Sequence, residues 1–472
     1  MSSIQSQVLV ALNHIPVGTL KAIERAYSFS YFQEYLNLNQ ALPISLSYPL
    51  ELKSWDHSFA GELPPYFMHL LPEGWLNQIA ETSGLPMNTP LEKLATLCQE
   101  NLGAVEIYET QSKKNLSYED AHEEIAQLAR GNDSDSLFET QNQALSYPVW
   151  NNCLRCHELL PSKGFNGNYH EECSLKFFGN TKAPYLNISV EKLAKVAREQ
   201  LKRHESLTGV QPKFSAFLRG RHQALSDMDF IVKPEPAFDR PQDGISYRDS
   251  SLAELAAMHF AELLELDVAE TALVYLNGSQ PAIISKRFDR ANKTKIHTED
   301  TAQALSIRNK YNGSHEKIAG LIKKIASSEQ RKIDLERFYK LTILNFIIGN
   351  ADGHLKNFSF VHEIKNDKAS YKLAPFYDLL PVLMFSEKDV DQLALTLEGR
   401  RNNIERKNFQ ALAIKLGLSR AILDDFTDEV EANLETFYEP FAIFGAVTSL
   451  ENRLRTYCAS QIVTLRKGRP TP

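Results

Sequence analysis

The chain has 472 residues, with 52 Lys and Arg against 59 Asp and Glu, a net charge of −7, 43% hydrophobic residues and 24% charged ones. At about 150 residues per domain this allows roughly three units, and the composition excludes disorder, collagen and coiled coil. The acidic balance excludes a dedicated nucleic-acid coat. No apolar run approaches the roughly 18 residues of a membrane span, and the first residues lack a secretory signal, so a cytoplasmic protein with no membrane contact is expected.

Residues 1–111 mix strand and helix signals. PISLSYPL (43–50) reads as an extended segment, residues 63–79 hold an apolar and aromatic cluster broken by prolines, and GAVEIY (103–108) reads as a closing strand. Residues 112–150 turn polar and charged, which predicts a linker carrying one exposed helix. The next stretch is cysteine-rich. Cys153 and Cys156 form a C-x-x-C pair, and His170 and Cys173 an H-x-x-C pair about thirteen residues on, separated by a knuckle turn at 165–168. That spacing suits a tetrahedral Cys₃His zinc site; a reduced, metal-free ribbon with His157 as a competing ligand is the plainer alternative. Cys98 and Cys458 read as isolated thiols, and five cysteines do not form a disulfide framework.

A strand-rich segment follows. Residues 213–218, 230–233, 272–276 and 281–288 read as strands, the last two facing each other across Asn277-Gly278, a hairpin signal. A helix is predicted over 251–266, with Ser251 and Glu254 spaced as a capping box. From about 317 the chain reads mostly helical.

The informative stretch is NADGHLKNFSF (350–360). A long apolar helix over 335–348 should end at Gly349-Asn350. The turn then presents Asp352, His354, Lys356 and Asn357 before a strand, and a second strand delivers Asp378. Phosphoryl transfer needs these groups in this order: a carboxylate to accept the substrate hydroxyl proton, an amide five residues on, and a second carboxylate to share a magnesium ion with it. An Asp-Gly turn with a nearby Asn is otherwise only a turn. Upstream, the backbone amides around Thr208, Gly209, Val210 and Gln211, with Lys213, could cradle an anion, although most single-glycine turns bind nothing. Lys233 ends an apolar strand where it could reach phosphates, or simply snorkel. Glu254 is either its partner or a capping residue.

Taken together, ESLTGVQPK (205–213), IVKPEP (231–236), SKRFDR (285–290), HTEDTAQ (297–303), NADGHLKNFSF and LAPFYDLLP (373–381) resemble, in order, the HipA-type serine/threonine kinases of bacterial toxin–antitoxin systems. PISLSYPL, LLPEG (70–74) and LGAVEIY extend the likeness to the N-terminus. The resemblance implies an α+β, protein-kinase-like bilobal fold. It would comprise an N-terminal α/β subdomain at 1–111, the linker at 112–150, a zinc-ribbon-like insert at 151–182, a β-rich N-lobe at 183–288 and a helical C-lobe at 289–472. It further implies ATP and Mg²⁺ as cofactors; zinc is expected from the cysteine and histidine spacing alone, since the best-known family members lack the insert. Asp352 would be the catalytic base, and Asn357 and Asp378 the magnesium ligands. Thr208 to Lys213 would form the phosphate loop, and Lys233 would hold the phosphates. Lys286, Arg287 and Phe288 would form the adenine-side hinge, with His354, Lys356 and Tyr377 completing the pocket. Ser206, with Thr208 second, would be an autophosphorylation site that shuts the enzyme off, because a phosphate adds nearly two negative charges where ATP phosphates should sit. The expected partners are a protein substrate such as an aminoacyl-tRNA synthetase and a helix-turn-helix antitoxin. DNA would be met only through the antitoxin, with the basic run Arg400, Arg401, Arg406 and Lys407 as a candidate face. The other readings are a degenerate nucleotide-binding co-repressor and, against the acidic charge, a zinc-ribbon nucleic-acid protein.

Overall fold

The structure is a computed structural model that describes residues 4–24, 26–57, 61–110, 112, 115–129, 148–184, 195, 197–198, 201, 213–216, 230–236, 248–276, 280–291, 294–365, 368–385, 391–446 and 448–469. The candidate loop residues Ser206, Thr208, Gly209, Val210 and Gln211, and the Asn277-Gly278 turn, lie outside them.

The N-terminal unit is built on a five-stranded antiparallel sheet of β1 (Ile4–Leu12), β2 (Ile15–Ile23), β3 (Ala26–Tyr31), β4 (Ser54–His57) and β5 (Val105–Glu109), in the order β4-β3-β2-β1-β5. From Val8 onward strand β1 is apolar without alternation because both its faces are covered. Val8, Val10 and Leu12 enter the main core of the unit. Leu9 and Ala11 pack with Tyr108 against Ala121 and Ile125 of the Tyr118–Ala129 helix. The helix expected to be exposed in a linker is therefore docked on this sheet, and only its outer face carries the charge seen in the sequence. Residues 43–50 are also not extended. They form a tight turn closed by a Ser45–Tyr48 bridge, because Glu299 from elsewhere in the chain accepts from Ser45 Oγ at 2.6 Å and from Leu46 N at 2.8 Å.

A second antiparallel sheet contains β6 (Phe214–Ala216), β7 (Phe230–Pro234), β8 (Thr271–Leu276) and β9 (Gln280–Lys286), in the order β6-β7-β9-β8, with Lys233 opposite Ile283. The Ser250–Leu263 helix lies against it and reaches the C-terminal helices through Phe260, which stacks on Phe437 at 5.0 Å. Its capping box does not form: Asp249, in a left-handed conformation, is the N-cap, and Glu254 is committed elsewhere. After the short β10 (Arg290–Ala291) and β11 (Thr294–Lys295), strands β12 (Thr298–Asp300), β13 (Ser359–Lys365) and β14 (Lys368–Leu373) form a third antiparallel sheet. The Ser328–Ile348 helix is continuously buried from Leu341 onward and ends at Gly349, whose φ of 76° supplies the expected left-handed cap. Helices Arg406–Leu416, Ala421–Ala432, Leu434–Phe444 and Thr448–Arg466 complete this half. One continuous core joins the second and third sheets, the terminal helices and the cysteine-rich module, while the N-terminal unit keeps a core of its own. Among the described residues, no helix is long and apolar enough to cross a membrane.

The two cores meet along a polar seam. Asp289 is buried between Arg287 and Arg290 and accepts from Gly103 N at 2.7 Å. Both arginines also donate to Asn101 O, at 3.0 and 2.9 Å. Lys295 Nζ sits 2.6 Å from the buried Glu106 carboxylate. Buried charges persist only when paired and hydrogen-bonded, and each of these is.

Candidate active site

Four elements converge where β7 meets the turn after the Ser328–Ile348 helix. Lys233 leaves the end of β7 and places Nζ 2.8 and 2.7 Å from the two carboxylate oxygens of Glu254. The same ammonium bonds Asp378 Oδ1. Asp378 adopts a φ of 61°, a conformation aspartate tolerates better than most residues, and its side chain meets both Lys233 and Asn357. Its Oδ2 accepts from Asn357 Nδ2 at 3.2 Å. Asn357 Oδ1 in turn accepts from His354 N at 3.0 Å, tying the turn into a single-turn 3₁₀ helix.

Charge follows the geometry. Burial works against the Lys233 ammonium, but the Asp378 and Glu254 carboxylates overcome it and hold its pKa above the ordinary lysine value. Burial likewise opposes the Asp378 carboxylate, and Lys233 and Lys213 hold it well below the usual range. Lys213 is lowered by desolvation. Asp352 differs. Burial raises it, with only partial relief from the Tyr311 hydroxyl, which donates to Oδ1 at 2.7 Å. One carboxylate is thus raised by burial beside another held ionised, so their surroundings push the two apart. His354, with its ring edge-on to Tyr311 at 5.2 Å, is pushed down to about 3 by burial and by Lys310, so it is neutral.

The structure thus brings together Lys213, Lys233, Glu254, Asp352, His354, Asn357 and Asp378. Tyr377 lies beside them, its hydroxyl 2.6 Å from both Lys356 O and Ser359 Oγ and its ring 5.6 Å from Phe288. Three expected pocket residues point elsewhere. Arg287 is turned into the seam on Asp289, and Lys286 is half-exposed beside Glu270 at 3.6 Å. Lys356 Nζ is buried 2.7 Å from Glu73 of the N-terminal unit. Sequence reasoning assigned no role to Glu73, Lys310 or Tyr311. LLPEG was the only signal for the first, and its partners lie more than 200 residues away in the chain. The basic run also divides: Arg406 is buried in a two-pronged pair with Asp424 at 2.6 and 2.7 Å, so it is a core ion pair and not part of a DNA-facing surface.

The cysteine-rich module presents a second centre. Cys153, Cys156, His170 and Cys173 place one ligand atom each within 4.8 Å of one another. Gly164 and Asn168 take left-handed conformations around the Phe165–Gly167 turn, which folds the two halves together. His170 Nε2 lies 3.0 Å from Leu159 O, which leaves Nδ1 facing the sulfurs. Such an outer-shell bond fixes the ring of a metal-ligating histidine. His157 is outside the group, packed against the His259 ring at 4.7 Å. The module grips both elements of the Lys233–Glu254 pair. Phe177 and Phe178 pack on Phe230 of β7, and Arg155 reaches Glu262 of the Ser250–Leu263 helix at 3.2 Å.

Comparison with known proteins agrees with this architecture. The HipA N-terminal domain family matches residues 8–108, and the HipA-like C-terminal domain family matches residues 205–436. A Haemophilus influenzae protein named "Putative kinase" is 31% identical over 198 residues, 39% of this chain and 54% of that one. The serine/threonine-protein kinase toxin HipA of Shewanella oneidensis is 27% identical over 243 residues, 46% of this chain and 53% of the toxin. The chain spans about half the length of the curated relatives it matches. The solved S. oneidensis HipA, in complex with HipB and operator DNA, superposes with a TM-score of 0.61 at 18% identity, covering 98% of this chain and 97% of that one, so the fold is shared end to end. With the N-terminal and C-terminal HipA domain families matched in order and together covering most of the chain, the chain belongs to the HipA family.

Proposed function

We propose that the chain is an ATP- and Mg²⁺-dependent serine/threonine protein kinase that acts as a toxin. The observation that carries this reading is the linked set Glu254–Lys233–Asp378–Asn357, with Asp352 beside it as a separate, burial-raised carboxylate. Lys233 orients the nucleotide phosphates. Asp352 accepts the proton of a substrate serine or threonine hydroxyl as its oxygen bonds the γ-phosphorus and the bond to the β-phosphate oxygen breaks, releasing ADP. The hard oxygens of Asp378 and Asn357 suit magnesium, which when bound neutralises charge on the phosphates. Lys233 occupies the Asp378 carboxylate as a cation of lower charge, consistent with a site built for positive charge. Phe288 and Tyr377 offer a ring-lined wall for the base. The loop at 208–213 would cover the phosphates, with Ser206 and Thr208 as self-inhibiting acceptors. The substrate is proposed to be a translation component such as an aminoacyl-tRNA synthetase. A helix-turn-helix antitoxin is proposed as partner, by analogy with the HipB and operator DNA that accompany the S. oneidensis relative.

We also infer that Cys153, Cys156, His170 and Cys173 hold one zinc ion in a structural role. A Cys₃His set of this closeness, with an oriented histidine and no further ligand position required, suits a closed tetrahedral site.

The kinase reading is tested by incubating the purified chain with γ-labelled ATP and Mg²⁺, alone and with cell lysate. Label should transfer to serine or threonine. Asp352→Asn should cut the rate by roughly 10²–10⁴ while ATP still binds, because shape is kept and the proton acceptor removed. A variant that labels as fast as the parent would show that Asp352 is not the base.

A further inference from the structure

Glu73 belongs to the N-terminal unit, yet its carboxylate lies in the catalytic half. Oε1 accepts from Lys356 Nζ at 2.7 Å and Oε2 from Lys310 Nζ at 3.2 Å. Lys356 lies within the turn that carries Asp352 and Asn357. Lys310 precedes Tyr311, whose hydroxyl holds Asp352. The two loops also touch through their backbones, where Leu355 N donates to Lys310 O at 3.1 Å. One carboxylate therefore bridges the two segments that fix the base: the segment containing it and the segment that hydrogen-bonds it. The Lys356 side chain is only 6% exposed and reaches just one other acceptor among the described residues, His69 O at 3.4 Å, also from the N-terminal unit. An ammonium this buried needs a counter-charge. Burial alone would raise the Glu73 carboxyl, but the two lysines hold it down at about 2, so it is ionised throughout the working pH range.

Resting on the kinase reading above, we propose that Glu73 is a positioning residue for phosphotransfer, through which the N-terminal unit holds the Asp352 turn and the Tyr311 loop in register. It touches neither nucleotide nor acceptor. Its loss should slow the chemical step without weakening ATP binding: with Lys356 uncompensated and the Tyr311 loop released, Asp352 would be misplaced, and a displacement of about 1 Å suffices for a hundredfold loss.

The experiment uses the full chain and follows self-labelling with γ-labelled Mg²⁺-ATP, reading the rate constant and the half-saturating ATP concentration separately. Glu73→Gln should lower the rate constant at least tenfold and leave half-saturation within threefold. Lys310→Gln, which cuts only one arm, should lose less than Glu73→Gln. Glu73→Asp, which keeps the charge, should recover at least threefold over Glu73→Gln. Hydrogen–deuterium exchange of the 350–357 peptide should rise in Glu73→Gln while the β1–β2 peptides stay protected. A Glu73→Gln rate within twofold of the parent would overturn the proposal, as would a loss carried by half-saturation instead. If Glu73→Gln does not fold, Lys310→Gln decides on the same rate and half-saturation criteria. If the parent transfers no phosphate to itself or to any acceptor, the kinase reading fails and the exchange data decide: unchanged protection at 350–357 means Glu73 does not hold the turn.

Discussion

Lys233 Nζ and Glu254 Oε2 lie 2.7 Å apart, joining the end of β7 to the buried face of the Ser250–Leu263 helix. Both side chains are at most 10% exposed, so the pair is screened little by solvent. It also keeps the ammonium from being held by Asp378 alone. Glu254→Gln is therefore expected to raise the half-saturating ATP concentration about five- to twentyfold, because Lys233 would then settle on the carboxylate proposed for the metal. Titration of ATP against intrinsic fluorescence checks this; unchanged affinity would mean that the pair only fills space.

The cysteine centre makes an elemental prediction. Protein purified without chelator should carry one zinc per chain, and Cys156→Ser should lose most of it. Less than about a tenth of an equivalent in the parent would remove zinc from the account. Because the module packs on β7 and on the Ser250–Leu263 helix, metal loss is also expected to lower thermal stability by several degrees, measurable by calorimetry.

Ser206 is expected to be the main self-phosphorylation site and Thr208 a secondary one. Mass spectrometry after incubation with Mg²⁺-ATP decides this, and phosphate found only outside 205–215 would refute it. Ser206→Ala with Thr208→Ala should leave a protein at least as growth-inhibiting as the parent, since it could no longer repel its own nucleotide.

Acid should loosen the seam. Burial opposes the Glu106 carboxyl, but His14 and Lys295 lower it to about 2, below its unfolded value near 4.5. A depressed carboxyl contributes stability that is fully present above pH about 5 and lost as pH falls toward 2, here at most about 3 kcal/mol. His14 is raised by the same carboxylate, so its share runs the other way and fades as pH rises through its own titration. Glu106→Gln should lower stability at pH 7 by about 1–3 kcal/mol and flatten the loss between pH 5 and 3, read by urea unfolding at each pH.

Much of the candidate site was legible because its groups sit close together in the chain. Asp352, His354 and Asn357 fall within six residues, Gly349 punctuates the helix before them, and Asp378 follows one hairpin later. The cysteine cluster was legible for the same reason. What escaped were contacts whose partners lie hundreds of residues apart. Ser251 and Glu254 match a capping box locally, but the tertiary ion pair with Lys233 takes the glutamate. The Tyr118–Ala129 helix looks solvated because only Ala121 and Ile125 of its inner face are deeply buried, and sheet alternation cannot reveal a strand covered on both sides. Lys356 and Arg287 carry charges that the motif order assigns to nucleotide, whereas the fold spends them on the seam.

Gly103 marks how closely that seam is fitted. Its φ is 78°, and a Cβ there would collide with the Thr298 carbonyl at the start of β12. The two units thus touch backbone to backbone, with no clearance for even one methyl group, a few residues from the Asp289 knot and from Glu299. A hinge cannot operate at such a point. The same face carries the contacts of Asp289, Glu106, Glu299 and Glu73, so a rotation of the N-terminal unit about Gly103 would strain all four at once.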